Sequence, residues 1–395
     1  MTDNYNVPTE FMFAVIDAAI KYPDRNDIAI IYSKKPCVAA GVFTKNVVKS
    51  PSVIYDMERI NNIAYGVVVN SGNANTCTGK QGMDDSIAMS HCVKEGLNIT
   101  DGEVFVCSTG VIGVPMPMER VIPAIKRCVV KIGQNSLMEA AEAIMTTDTF
   151  PKIKSKTIKI DGKTVTISGI TKGSGMISPN MATTLSFIIT DACVEKTALD
   201  NALRQSVEQS FNKITVDGDM STNDCVLLLA NGSSGNAVIK TDTPQYDVFK
   251  QALDEITMSL SYMIVKDGEG ATKTICIELN GAATQNDAER LARKVADSML
   301  VRTAVYGNDP NWGRIMCALG GAGVAFIPEN VDIYISNVQI VANGIGTKND
   351  EEASKALDVK EVVLRIDLRV GSCNAKVFTC DLTEGYIKIN AHYTT

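Results

Sequence analysis

The residues from Lys172 to Leu185 read Lys-Gly-Ser-Gly-Met-Ile-Ser-Pro-Asn-Met-Ala-Thr-Thr-Leu. A loop of glycine, serine and proline thus ends on paired threonines, Thr183 and Thr184, at the start of an apolar run through Ile189. This layout suits a chain that cuts itself and uses the new N-terminal residue as a nucleophile. The loop lets the scissile peptide take an unfavourable geometry, and the strand holds the new terminus rigid. A threonine hydroxyl is a weak nucleophile, but its own freed α-amine, with a reference pKa of about 7.7–8.0, can act as the base. The same residues also suit a plain hairpin connection, and pattern alone favours that reading.

Histidine narrows the choice of chemistry. Only His91 and His392 occur. A Ser-His-Asp triad would need one of them, and a two-histidine zinc site would need both. His91 falls in a helical pattern over 82–97 and reads as a packing or surface residue. Covalent catalysis here therefore calls for another base. The eleven cysteines are scattered and form no CxxC pair, which argues against a disulfide framework or a zinc ribbon and suits a reducing cytoplasm. Gly173-Ser174-Gly175 follows Lys172 instead of preceding a lysine, so it is a poor phosphate loop, and no GxGxxG occurs.

The elements that must position these residues form an α+β pattern of helices packed on sheets. Apolar strands at 65–69 and 104–107 run into turn-forming loops, 70–75 and 108–113. Ser136 and Glu139 make a capping box for a helix through Met145. Apolar residues at helical spacing predict helices over 198–211, 247–263 and 287–299. The final third reads as strands at 332–341, 362–370, 375–381 and 386–390. A length of 395 residues fits two domains or one large one. The net charge of −7, with no basic run, argues against nucleic acid as a partner. No signal peptide or membrane-length apolar run is evident.

Separated motifs then match one family in order. They are Ala40-Gly41-Val42-Phe43-Thr44, Asn70-Ser71-Gly72-Asn73-Ala74-Asn75, Ser108-Thr109-Gly110-Val111-Ile112-Gly113 and Met145-Thr146-Thr147-Asp148-Thr149. After Lys172 to Leu185 come Ile214 to Asp219, Ser221-Thr222-Asn223-Asp224, Asp267 to Lys273, Asp309-Pro310-Asn311-Trp312-Gly313-Arg314 and the tail Ile389 to Thr395. Over nearly its whole length the chain resembles the ornithine acetyltransferase (ArgJ) family.

The resemblance implies an ArgJ/β-aminopeptidase-like fold that cuts itself between Ala182 and Thr183. The products are an α chain, 1–182, and a β chain, 183–395, with Thr183 as nucleophile; Thr184 is the less favoured choice. It implies an oxyanion hole of Thr109 and Gly110, and substrate contacts at Thr146, Lys172, Thr183, Glu269, Asn390 and Thr395. A lysine suits a substrate carboxylate and a glutamate a substrate ammonium. The implied reaction moves acetyl from N2-acetylornithine to glutamate in arginine biosynthesis, without metal or cofactor. Acetyl-CoA is a further donor in some members, and nothing in this sequence separates those members from the others. An α2β2 heterotetramer in the cytoplasm, with no nucleic acid or membrane partner, is the expected form. The rival reading is an N-terminal-nucleophile aminopeptidase or amidohydrolase of related fold.

Overall fold

The computed structural model describes residues 5–178 and 184–392. Ala182, Thr183 and Thr395 therefore lie outside the described residues. Eight strands build one sheet: β1 Phe11–Ile16, β2 Ile28–Phe43, β3 Ala64–Asn73, β4 Glu103–Val111, β5 Lys152–Ile160, β6 Lys163–Lys172, β7 Leu185–Thr190 and β8 Cys225–Ala230. Their order is β4-β3-β2-β8-β7-β6-β5, with β1 also on β2. The long β2 serves two partners in succession. Its first half pairs with β1 and β3, and Val38 to Phe43 pair with β8.

Strand alternation places successive side chains on opposite faces, and the two halves of the sheet use this to close on each other. Ala29, Ile31, Val67 and Phe105 of one half share a core with Ile170, Phe187, Ile189 and Leu227 of the other. Cys107 and Cys225 touch across this core, sulfur to sulfur at 3.5 Å. The alternate residues face helices. Ile30, Val68 and Val106 pack on Met89 and Val93 of α2 (Gly79–Gly96) and Ile125 of α3 (Met118–Val130), beside α1 (Pro51–Arg59). Ile167, Ile188, Val226 and Leu228 pack on Leu199 and Leu203 of α5 (Lys196–Gln209) and on Phe249, Ile256 and Leu260 of α6 (Pro244–Lys266). The layers run helix, sheet, sheet, helix. The short α4 (Leu137–Ala143) opens with the capping box read from Ser136 and Glu139.

A second sheet follows in sequence: β9 Thr274–Ala282, β10 Asp332–Ile335, β11 Val338–Ala342, β12 Ile345–Gly346, β13 Glu361–Asp367 and β14 Cys373–Cys380. It encloses its own core with α7 (Gln285–Ala296), α8 (Met299–Tyr306), α9 (Trp312–Gly320) and α10 (Asp350–Leu357).

Four expectations change. The loops expected at 70–75 and 108–113 are mostly strand, because β3 and β4 stay paired in parallel from Asn70 and Ser108 to Asn73 and Val111. The segment 332–341 is a hairpin, because Ser336 takes a left-handed φ of 51° and reverses the chain. The helix expected over 287–299 stops at Ala296, where the Ser298 hydroxyl accepts the Val301 N–H and starts α8. The expected tail strand at 386–390 is a helix, α11 (Glu384–His392). Its alternating residues bury neither face. The local geometry is set by Thr383, whose hydroxyl accepts the Gly385 N–H and donates to the Gly270 carbonyl.

Candidate active site

A cavity of about 390 Å³ opens where β4, β6, β7 and the segment entering β8 end together, with α11 across its mouth. Its lining includes Thr109, Gly110, Thr146, Lys172, Glu269 and Asn390. Six residues singled out in sequence, separated by up to 281 positions (390 minus 109), thus meet at one site. The described residues on either side of Thr183 reach it too: Ile177 and Thr184 are part of the lining. Neither histidine is; both are exposed on helices.

Thr109 and Gly110 close β4. Gly110 holds a φ of 136°, and a Cβ there would stand 2.2 Å from the Gly72 carbonyl carbon of β3. Only glycine fits so close to that backbone. The Lys172 ammonium donates to Thr109 Oγ1 at 3.1 Å. A hydroxyl has a single proton, so a Thr109 oxygen that accepts from lysine keeps its own O–H free to donate elsewhere. Burial pulls the Lys172 pKa down, while the charges of Asp148, Asp224 and Glu269 pull it back up.

Behind Lys172 lies a fully buried ion triad. Lys152 Nζ is 2.6 Å from Asp148 and 2.5 Å from Asp267. Asp148 also accepts the Thr146 N–H at 3.0 Å and the Gly173 N–H at 2.7 Å. Burial alone would raise its carboxyl, but the two lysines, Lys152 and Lys172, outweigh that and hold it at about 2. Asp267 accepts from Thr149 and stands two residues before Glu269. The Glu269 carboxylate accepts the Asn390 amide at 2.7 Å, which ties α11 to the cavity. Asp217 accepts the Met176 and Ile177 N–H groups at 2.6 and 2.9 Å and so holds the loop that follows β6 in place. Burial raises the Asp217 carboxyl despite those bonds.

Thr184 is buried, and its hydroxyl is engaged. It donates to the Lys172 carbonyl and meets Thr171 Oγ1 at 2.7 Å. Trp312 sits outside the cavity, its ring packed against Gly346 of the second sheet. It shapes that sheet and not the site.

The family follows from comparison with known proteins. A sequence model of the ArgJ family matches residues 12–395. The chain belongs to the ArgJ family. It is 46% identical over 388 residues to the arginine biosynthesis bifunctional protein ArgJ of Geobacter sulfurreducens, covering 98% of this chain and 99% of that one. It is 47% identical over 397 residues to the protein of the same name from Thermotoga neapolitana, covering 98% and 100%. The crystal structure of the bifunctional protein argJ from Bacillus halodurans is 39% identical with a TM-score of 0.51. That match covers 52% of this chain and 98% of the crystallised one.

Asp148, Lys152, Asp217, Asn223 and Asp267 carry no role in the sequence reading, although all but Lys152 lie inside the ArgJ motifs quoted for it. Their signal was present: charged or amide residues within segments otherwise rich in small residues.

Proposed function

We propose that this ArgJ chain transfers acetyl from N2-acetylornithine to glutamate through an acetyl ester on Thr183, after cutting itself between Ala182 and Thr183. The observation that carries this is the single cavity joining Thr109, Gly110, Thr146, Lys172, Glu269 and Asn390 at the ends of the segment that holds Thr183. The names of the relatives, bifunctional proteins of arginine biosynthesis, agree with it.

In the first stage the Thr183 hydroxyl adds to the Ala182 carbonyl. The peptide becomes an ester with a free α-amine, and water hydrolyses the ester. This gives chains 1–182 and 183–395. The Bacillus halodurans match supports such a division, since that whole crystallised chain corresponds to about half of this one. The engaged Thr184 hydroxyl favours Thr183 as the nucleophile.

In the second stage the Thr183 α-amine takes the hydroxyl proton while the oxygen attacks the acetyl carbonyl. Negative charge gathers on the carbonyl oxygen, where the Thr109 O–H and Gly110 N–H donate to it. The C–N bond breaks, the departing ornithine amine takes the proton, and acetyl remains on Thr183. The glutamate amine attacks that ester, its surplus proton returns to threonine, and N-acetylglutamate leaves. Lys172 serves a substrate carboxylate and Glu269 a substrate ammonium, with Thr146, Asn390 and Thr395 completing the pocket. The chemistry needs no cofactor, because the base is the threonine amine. The processed chains assemble as α2β2 in the cytoplasm. Among the described residues no helix is long and apolar enough to cross a membrane.

The test is the intact mass of Thr183→Ala beside the unaltered protein. The unaltered protein should yield two masses, one fragment beginning Thr183-Thr184-Leu185, and the variant one mass and no turnover. A Thr183→Ala protein that is cut and active would overturn the scheme. Ornithine release that runs equally fast without glutamate would favour the amidohydrolase reading instead.

A further inference from the structure

The Ser221-Thr222-Asn223-Asp224 segment has no part in the scheme above, yet one of its side chains binds the oxyanion loop directly. Asn223 is buried at the cavity wall, on the segment entering β8. Its amide nitrogen donates to the Ala74 carbonyl at 2.6 Å and to the Ser108 carbonyl at 2.8 Å. Its amide oxygen accepts from Thr76 Oγ1 at 2.7 Å and from Thr222 Oγ1 at 2.6 Å. A carboxamide offers two donors and two acceptor sites, and all four are used. The orientation is forced, because the two carbonyls can only be met by the NH2 end.

The bonded partners are well chosen. Ser108 shares a peptide unit with Thr109. The loop that follows wraps on the same two residues that Asn223 holds: the Ala74 N–H donates to Val111 O, and the Gly113 N–H donates to Thr76 O, each at 2.9 Å. We propose that Asn223 is the positioning residue of the oxyanion site. Its carboxamide pins the Ser108 and Ala74 carbonyls from the far side of the cut, and so fixes where the Thr109 hydroxyl and Gly110 N–H stand. This rests on the reading of Thr109 and Gly110 as the oxyanion donors.

Asn223→Asp keeps the shape but sets carboxylate oxygens against two carbonyl oxygens. Thr76→Val keeps shape and fold while removing one of the two hydroxyls that orient the amide, so it reads the same effect should Asn223→Asp fail to fold. The measurements are kcat and KM for acetyl transfer, normalised to the processed fraction, and the first-order rate of self-cleavage. Both substitutions are made alone and with Thr109→Ala.

Misplacing an oxyanion donor should lower kcat about ten- to a hundredfold for Asn223→Asp and about three- to tenfold for Thr76→Val, with KM within about twofold. Self-cleavage should slow in parallel. With Thr109→Ala already present, each should cost less, because the part that acts through the Thr109 hydroxyl is already lost and only the Gly110 N–H remains to be misplaced. Undiminished losses in the Thr109→Ala background, or a raised KM at unchanged kcat, overturn the positioning role alone. An unchanged kcat for Thr109→Ala by itself overturns the oxyanion assignment beneath it.

Discussion

Single residues at the cavity show where substitution should strike chemistry and spare the fold. Gly175 is the clearest. A Cβ there would stand 2.4–2.5 Å from the carboxyl atoms of Glu269. Its backbone is not left-handed, so alanine strains nothing locally and the end of the glutamate side chain must give way. Gly175→Ala should therefore displace Glu269 from its Asn390 partner and from the substrate ammonium proposed for it. Losing one hydrogen bond to a charged group is worth about 1.5–3 kcal/mol, so KM should rise roughly ten- to a hundredfold with kcat less affected. Steady-state kinetics beside a melting curve checks this; a lowered Tm with an unchanged KM would show that Glu269 does not touch substrate. At this scale the sequence was legible through its motifs: Thr109, Gly110, Thr146, Lys172, Glu269 and Asn390 do converge. Asn223 received no role because its carbonyl partners lie 115 and 149 positions away in sequence, and nothing local reveals a bond of that reach.

Elements are held around the site by charges that the sequence pattern could not pair. The Asp148–Lys152–Asp267 triad fastens the loop before β5, the end of β6 and the turn after α6 at one point. Replacing its cation leaves two buried carboxylates unpaired. Lys152→Met should thus destabilise the protein by about 3–5 kcal/mol, the range found on breaking buried ion pairs. The pH dependence has a definite sign. Asp148 drops from an ordinary 3.8 to about 2 in the folded protein. A depressed carboxyl stabilises fully above its unfolded value, and that contribution, on the order of 2 kcal/mol, is lost as pH falls from about 4 through about 2. Lys152→Met removes much of the cause, and burial alone raises the carboxyl, so the variant should be less stable at pH 6 yet lose less stability between about pH 4 and 2, a shallower acid limb. Denaturant titrations between pH 2 and 6 would show it, and parallel limbs for both proteins would contradict the assigned cause. Helices and strands with long periodic patterns were read correctly from sequence, as with α5 and α6. The tail was not: Tyr386 to Asn390 alternates like a strand, and the decision for helix came from the Thr383 hydroxyl and its contact with Gly270.

At the scale of the whole molecule, the layered architecture explains how a chain could be cut at its active site and stay one body. The α+β class was legible from the mixture of periods. The closure of one sheet upon itself was not, because it depends on β2 pairing with β3 at one end and β8 at the other. The pairing with β8 crosses the proposed cut. So does β6 on β7, with Lys172 opposite Leu185, and so does the core joining Phe105 to Phe187. Fragments 1–182 and 183–395 should therefore co-elute in native buffer and part only in denaturant. Cutting does convert their refolding from a one-chain to a two-chain reaction, and association makes stability depend on concentration. The unfolding midpoint of the processed protein should rise with protein concentration more steeply than that of uncut Thr183→Ala, since any further assembly is common to both. Identical slopes for two fully folded samples would mean that the two segments do not unfold and separate together, and that the shared core is not what holds them.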